Sequence, residues 1–264
     1  MKLCEIDYKE LKNQISAKIS ESQSVSDDEK FPYVLDNSDD VVLSELGNKI
    51  SVMSDETLSV VDSSDAKQIF IDDHGFSNPV MNVRGSYSVA FDQGSNKYRL
   101  DTSKGNVYKG TADNTILCAC PSASGTVAMA LTSSEAKSEI VVLNKSLSEK
   151  LRYPVSAGYV TDIAVDDNAN RIAFAVIHSE NAAFYTTVYT MNVDDAAPKA
   201  EFTFPSTVLD IRFSGSKLFV VGMDFVSVIS SMKNEEKIFE HSIMRGNGSG
   251  FPGGLWVKDT GDDN

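Results

Sequence analysis

From about Phe31 onward, short runs rich in Val, Ile, Tyr and Phe alternate with clusters of Gly, Asn, Asp and Ser. Successive side chains of a strand point to opposite faces, so such runs separated by turn formers predict consecutive antiparallel strands. A helical period occurs only at the N-terminus, where Leu11, Ile15 and Ile19 stand four apart behind Leu3 and Ile6 and predict an amphipathic helix. The stretch "SESQSVSDDEK" that follows has little to bury and reads as a linker.

The strand-forming region divides into five units that share one order: apolar strand, polar turn, stronger apolar strand, alternating strand, and a more polar strand with an aromatic. The cuts fall near Asp40, Asn78, Thr115, Val160 and Val208, spaced by 38, 37, 45 and 48 residues. Four strands recurring at roughly 40–45 residues is the period of a propeller blade, a sheet that becomes stable only by packing its faces on its neighbours. A sandwich or barrel also shows many short strands, but nothing in it requires the four-strand grouping to repeat. The repetition extends to detail: "VTDIAV" from Val160 and "VLDIRF" from Val208 place Asp162 and Asp210 at equivalent points of the innermost strands. The expected architecture is all-β: a β-propeller of about five blades, complete or part of a larger ring, with a short N-terminal helix. The expected division is residues 1–30 for helix and linker, 31–245 for the propeller and 246–264 for a Gly-rich acidic tail. "FPYVLD", Phe31 to Asp36, is expected to add a strand to the last blade and close the ring.

The segments "SYSVAFDQGSNKYRLDT", "ILCACPSASGTVAMAL", "SEIVVLNKS", "VTDIAVDDNANRIAFAV" and "VLDIRFSGSKLFVVG" together resemble an uncharacterised family of Gram-positive bacterial proteins. The resemblance covers about residues 40–232. It implies a WD40-like or quinoprotein-like propeller outside the membrane, behind a single membrane-spanning helix, and it brings no catalytic residues with it. Two features depart from that pattern: no run of about 18 apolar residues is present, and "RGNGSGFPGGLWVKDTGDDN" does not read as a further blade. As written, the chain is expected in the cytoplasm. If the resemblance holds and a membrane helix has been removed, it is expected outside the membrane and anchored to it.

Composition narrows the partners. With 24 Lys and Arg against 38 Asp and Glu, the net charge of −14 opposes phosphate backbones and anionic membranes, and no dense basic stripe offsets it. Cys4, Cys118 and Cys120 form no framework of pairs. In "TILCACP" the period of a strand places Cys118, Cys120 and Ile116 on one face, and no neighbouring Cys or His completes a metal site, so the cysteines read as small buried hydrophobes. His74, His178 and His241 lie in different units and assemble no triad. "IDDHG" reads as a polar turn ending a blade. "VDDNANR" lacks the glycine and glutamate of a calcium loop and reads as a tight turn. The glycines of "RGNGSGFPGG" open no helix, so they form no phosphate cradle.

Asp162 and Asp210 remain as candidate ligand-binding residues. Converging on a central channel they would hold a cation or a basic ligand; tying down neighbouring blades they would be structural, which is the commoner use of such residues. No cofactor, metal or catalytic residue is assigned. The sequence points to a non-catalytic scaffold for a protein or peptide-like partner at the bacterial cell envelope. One alternative is a propeller enzyme with a metal or carboxylate site in the channel, in which Asp162 and Asp210 would be the first residues to mutate. The other is a purely structural module of a larger complex.

Overall fold

The computed structural model describes Tyr33, residues 41–230 and the backbone of 233–238. The predicted N-terminal helix, the Gly-rich tail, Cys4, His241 and Trp256 lie outside the described residues. Of the proposed closing strand only Tyr33 is described, and its hydroxyl donates to Gln68 Oε1 at 3.4 Å, on the outer strand of the first sheet.

Five antiparallel four-stranded sheets follow one another along the chain, each a simple meander. Sheet 1 holds β1 (Val42–Leu46), β2 (Lys49–Met53), β3 (Thr57–Asp62) and β4 (Gln68–Asp73); sheet 2 holds β5 (Pro79–Arg84), β6 (Tyr87–Asp92), β7 (Lys97–Thr102) and β8 (Gly105–Thr111). Sheet 3 runs through β9 (Ile116–Pro121), β10 (Val127–Thr132), β11 (Ser138–Leu143) and β12 (Glu149–Val155). Sheet 4 comprises β13 (Tyr159–Val165), β14 (Arg171–Glu180), β15 (Ala183–Asn192) and β16 (Ala200–Phe204). Sheet 5 comprises β17 (Val208–Ser214), β18 (Lys217–Gly222), β19 (Phe225–Ser230) and β20 (Lys233–Ile238). No helix occurs among the described residues. The first strand of every sheet contacts the first strand of the next, so β1, β5, β9, β13 and β17 form the inner row.

The sheets are held face to face by apolar clusters. Met53 and Leu58 meet Met81 and Ala90 between sheets 1 and 2, and Val89, Phe91 and Leu100 meet Ile116, Met129 and Leu131 between sheets 2 and 3. Ala128 and Ala130 leave room for Ile172, Phe174 and Val176. Sheet 4 repeats the device: Ala164, Ala173 and Ala175 receive Ile211, Phe213 and Leu218 of sheet 5. Opposing small with large side chains lets twisted sheets interdigitate without voids. Among the described residues, no such cluster joins sheet 5 to sheet 1.

One irregularity recurs. In β9, β13 and β17 the ladder to the next strand shifts at the same place, leaving Leu117, Thr161 and Leu209 as the extra residue of a bulge. A bulge breaks the alternation of faces. Ile116 therefore packs toward sheet 2 while Cys118 and Cys120 pack toward sheet 4. This corrects the expectation that all three share a face: the two cysteines do, and the extra residue turns Ile116 to the other side.

Candidate functional site at the inner strands

The bulges set the positions of Asp162 and Asp210. Beyond the extra residue, Asp162 pairs with Ala175 and Asp210 with Val221, so both carboxylates point away from the preceding sheet and toward the following one. Asp162 has a following sheet, and its Oδ1 accepts from its neighbour's N–H, Ile163, at 2.9 Å. Its Oδ2 accepts from the N–H of Ile211 on β17 at 2.8 Å. One carboxylate thus satisfies two backbone donors on successive inner strands and latches sheet 4 to sheet 5. Asp210 occupies the same place one sheet later, where its carboxylate meets Arg212 Nε at 3.4 Å.

Around Asp210 the forward face of sheet 5 is apolar and partly open. The cross-strand row beside it is Val221 and Val226, and the adjoining row is Phe219 and Val228. Phe219 is 36% exposed, whereas Leu218 and Val220, on the face toward sheet 4, are at most 2% exposed.

The hairpin ends of the inner strands gather around Arg84, the last residue of β5. Its Nε donates to Asp167 Oδ1 at 2.6 Å in the β13–β14 turn, and its Nη2 donates to the Phe213 carbonyl of β17 at 2.7 Å. One side chain of sheet 2 therefore reaches sheets 4 and 5. The β13–β14 turn is built as its sequence implies: Asp166 Oδ1 accepts from the N–H groups of Asn170 and Arg171 at 2.8 and 3.1 Å, and its Oδ2 accepts from Arg171 Nε at 3.0 Å. That arrangement is a self-bonded turn.

Neither cysteine is poised for thiolate chemistry. Burial pushes the Cys118 thiol well above the ordinary range, helped by the negative charge of Asp162, and burial raises Cys120 to about 11. Since the thiolate is the reactive form, iodoacetamide near neutral pH is expected to leave both unmodified in the folded protein and to alkylate them after guanidinium unfolding. Mass analysis of the peptide that carries both checks this; rapid native labelling would contradict it. His74 is a buried turn residue: its Nδ1 accepts from the Phe76 N–H at 3.0 Å and its Nε2 lies 3.0 Å from the Ser54 carbonyl. His178 stacks on Tyr185 across the β14–β15 hairpin. Among the described residues no group of three or more His, Cys, Asp or Glu is placed to hold a metal ion.

Sequence reasoning missed Arg84 and the buried pair of Arg99 and Asp101. The pair was findable, because Arg-x-Asp on a strand sets opposite charges on one face; the reach of Arg84 across three sheets leaves no local trace.

A family model described as a family of unknown function (DUF5711) matches residues 20–245. No curated protein matches the chain. Among solved structures, the Neurospora crassa Pan2 WD40 domain is similar at 10% identity and a TM-score of 0.54, with 74% of this chain and 64% of that one covered. The complex of KlAtg21 with the coiled-coil of AgAtg16 matches at 14% identity and a TM-score of 0.57, with 78% of this chain and 68% of that one covered. The chain thus spans about two thirds of the length of these neighbours. At such identities the likeness establishes the fold, a WD40-like β-propeller architecture. No helix of the described residues is long and apolar enough to cross a membrane.

Proposed function

We propose a reading that proceeds from one fact, that this chain belongs to the DUF5711 family of unknown function: it is a non-catalytic propeller scaffold whose forward face of sheet 5 receives a protein partner. The observation that carries this is the contrast between Asp162 and Asp210. The same bulge presents the same carboxylate twice; the first holds the inner strand of the next sheet, and the second stands beside the half-open row of Phe219, Val221, Val226 and Val228. A carboxylate accepting a backbone N–H at the inner edge, with an apolar face outside it, is how sheet 4 recognises sheet 5. A partner that offers an inner-edge N–H and small apolar side chains fits the same surface. That KlAtg21 was solved bound to a coiled-coil supports a protein as the class of partner. A place at the bacterial cell envelope rests on the resemblance of the strand motifs and is part of the proposal.

The non-catalytic part draws support from the engagement of both Asp162 oxygens by backbone amides and from the raised thiols. The test is affinity capture from native envelope extract with the wild-type chain and a Phe219→Glu, Asp210→Ala double variant. A photo-crosslinker placed at Val228 reports direct contact. A protein captured by the wild type, crosslinked at Val228 and lost in the variant is expected. An identical set of captured proteins for both baits would overturn the assignment of this face.

A further inference from the structure

A half-open cleft of about 360 Å³ lies between the β4–β5 connection and sheet 2, lined by His74 and Phe76 of that connection, by Lys97, Tyr98 and Arg99 of β7, and by the Lys109 to Thr111 end of β8. Its charge runs against the molecule. On a chain of net charge −14, three cations line this cavity: Lys97, Arg99 and Lys109. The carboxylates paired with them are Asp101, which is fully buried and grips Arg99 through two bonds of 2.7 Å, and Asp72, which lies 2.9 Å from both Arg99 Nη2 and Lys109 Nζ. Three cations against two carboxylates leave one positive charge over.

A second, independent observation concerns Arg99. Its side chain is 1% exposed, yet Nη1 has no hydrogen-bond partner among the described residues. A buried guanidinium nitrogen carries two N–H donors, and leaving them unused costs free energy; the guanidinium is covered, so a ligand oxygen would reach it only by displacing Asp72. Among the described residues the exposed Lys97 reaches the Gly75 carbonyl at 3.5 Å. One wall is aromatic: Phe76 stacks on His74.

We propose that this cleft binds a small organic oxyanion, a carboxylate or phosphate held by Lys97, Lys109 and Arg99, with its apolar part against Phe76. Clefts of this size with a few convergent polar groups suit such ligands. Asp72 acts as a built-in competitor: its carboxylate already sits on two of the three cations, so a ligand must share or displace it.

Calorimetric titration of the full chain with inorganic phosphate and with benzoate, at fixed ionic strength in sodium chloride, tests this. Saturable binding of at least one probe is expected. A Lys97→Ala, Lys109→Ala double variant should weaken it tenfold or more while circular dichroism stays unchanged; both lysines are exposed, so the fold does not depend on them. Asp72→Asn should tighten binding by roughly three- to tenfold, because a like charge a few ångströms from the ligand is removed, whereas a purely structural carboxylate would give no gain. Lys199→Ala, on the distant β15–β16 loop, serves as the control and should bind like the wild type. Phosphate alone, or benzoate alone, would narrow the ligand class. Absence of saturable binding for both probes, or binding that survives the double lysine variant, would overturn the site, and an Asp72→Asn variant that binds no tighter would overturn the role given to Asp72.

Discussion

Replacing Asp101 by alanine is expected to lower the free energy of unfolding by about 3–5 kcal/mol, the usual cost of stranding one member of a buried ion pair. Asp101 is fully buried, takes Nε and Nη2 of Arg99 at 2.7 Å each, and also accepts from Asn106 Nδ2 at 2.9 Å. With the carboxylate gone, a guanidinium that is 1% exposed keeps only the flanking Asp72. Urea denaturation should therefore show an earlier midpoint with an unchanged slope, and thermal unfolding a drop on the order of 10 °C. Replacing both residues, Arg99 by Met and Asp101 by Leu, should cost less than Asp101→Ala alone, because no charge is left without its partner. A single variant within about 1 kcal/mol of wild type would show that the pair contributes little, as exposed pairs do.

The second large effect is expected at Asp162. Alanine there removes the acceptor for the amides of Ile163 and Ile211, two charge-assisted bonds, and should cost about 2–4 kcal/mol. Asp210→Ala, at the equivalent place one sheet later, should stay within about 1 kcal/mol in the isolated chain, because among the described residues it loses a partly exposed pairing with Arg212. Hydrogen exchange gives the local readout: the Ile163 and Ile211 amides should exchange faster in Asp162→Ala and stay protected in Asp210→Ala. Equal effects from the two substitutions would remove the distinction on which the sheet-to-sheet latch rests.

The strand order was readable because it follows from alternation and turn formers, which are local. The predicted cuts at Asn78, Thr115, Val160 and Val208 fall within a residue of Pro79, Ile116, Tyr159 and Val208, where the inner strands begin. The repeated Val-x-Asp-Ile also gave the equivalence of Asp162 and Asp210. What it could not give was their difference, which depends on whether another inner strand of the described residues lies in front of each carboxylate. Bulges were equally hidden: the extra residue is leucine at 117 and 209 but threonine at 161, types that regular strands also carry, and it becomes evident only in the hydrogen-bond ladder. The face of Ile116 was misassigned for that reason. Arg99 shows the opposite case, since "RLD" on a strand already states a same-face ion pair, while its burial and its spare Nη1 depend on how sheet 1 covers sheet 2.

In a row of repeating units, each stabilised only by its neighbours, loss of order starts at an end and travels inward one unit at a time. Arg84 changes that connectivity. By joining the end of β5 to Asp167 and to the Phe213 carbonyl, it adds a link between units that are not adjacent, so the pattern of couplings contains a closed circuit rather than a simple line. Sheet 5 cannot peel away without also breaking a bond held by sheet 2, which couples the second, fourth and fifth units directly.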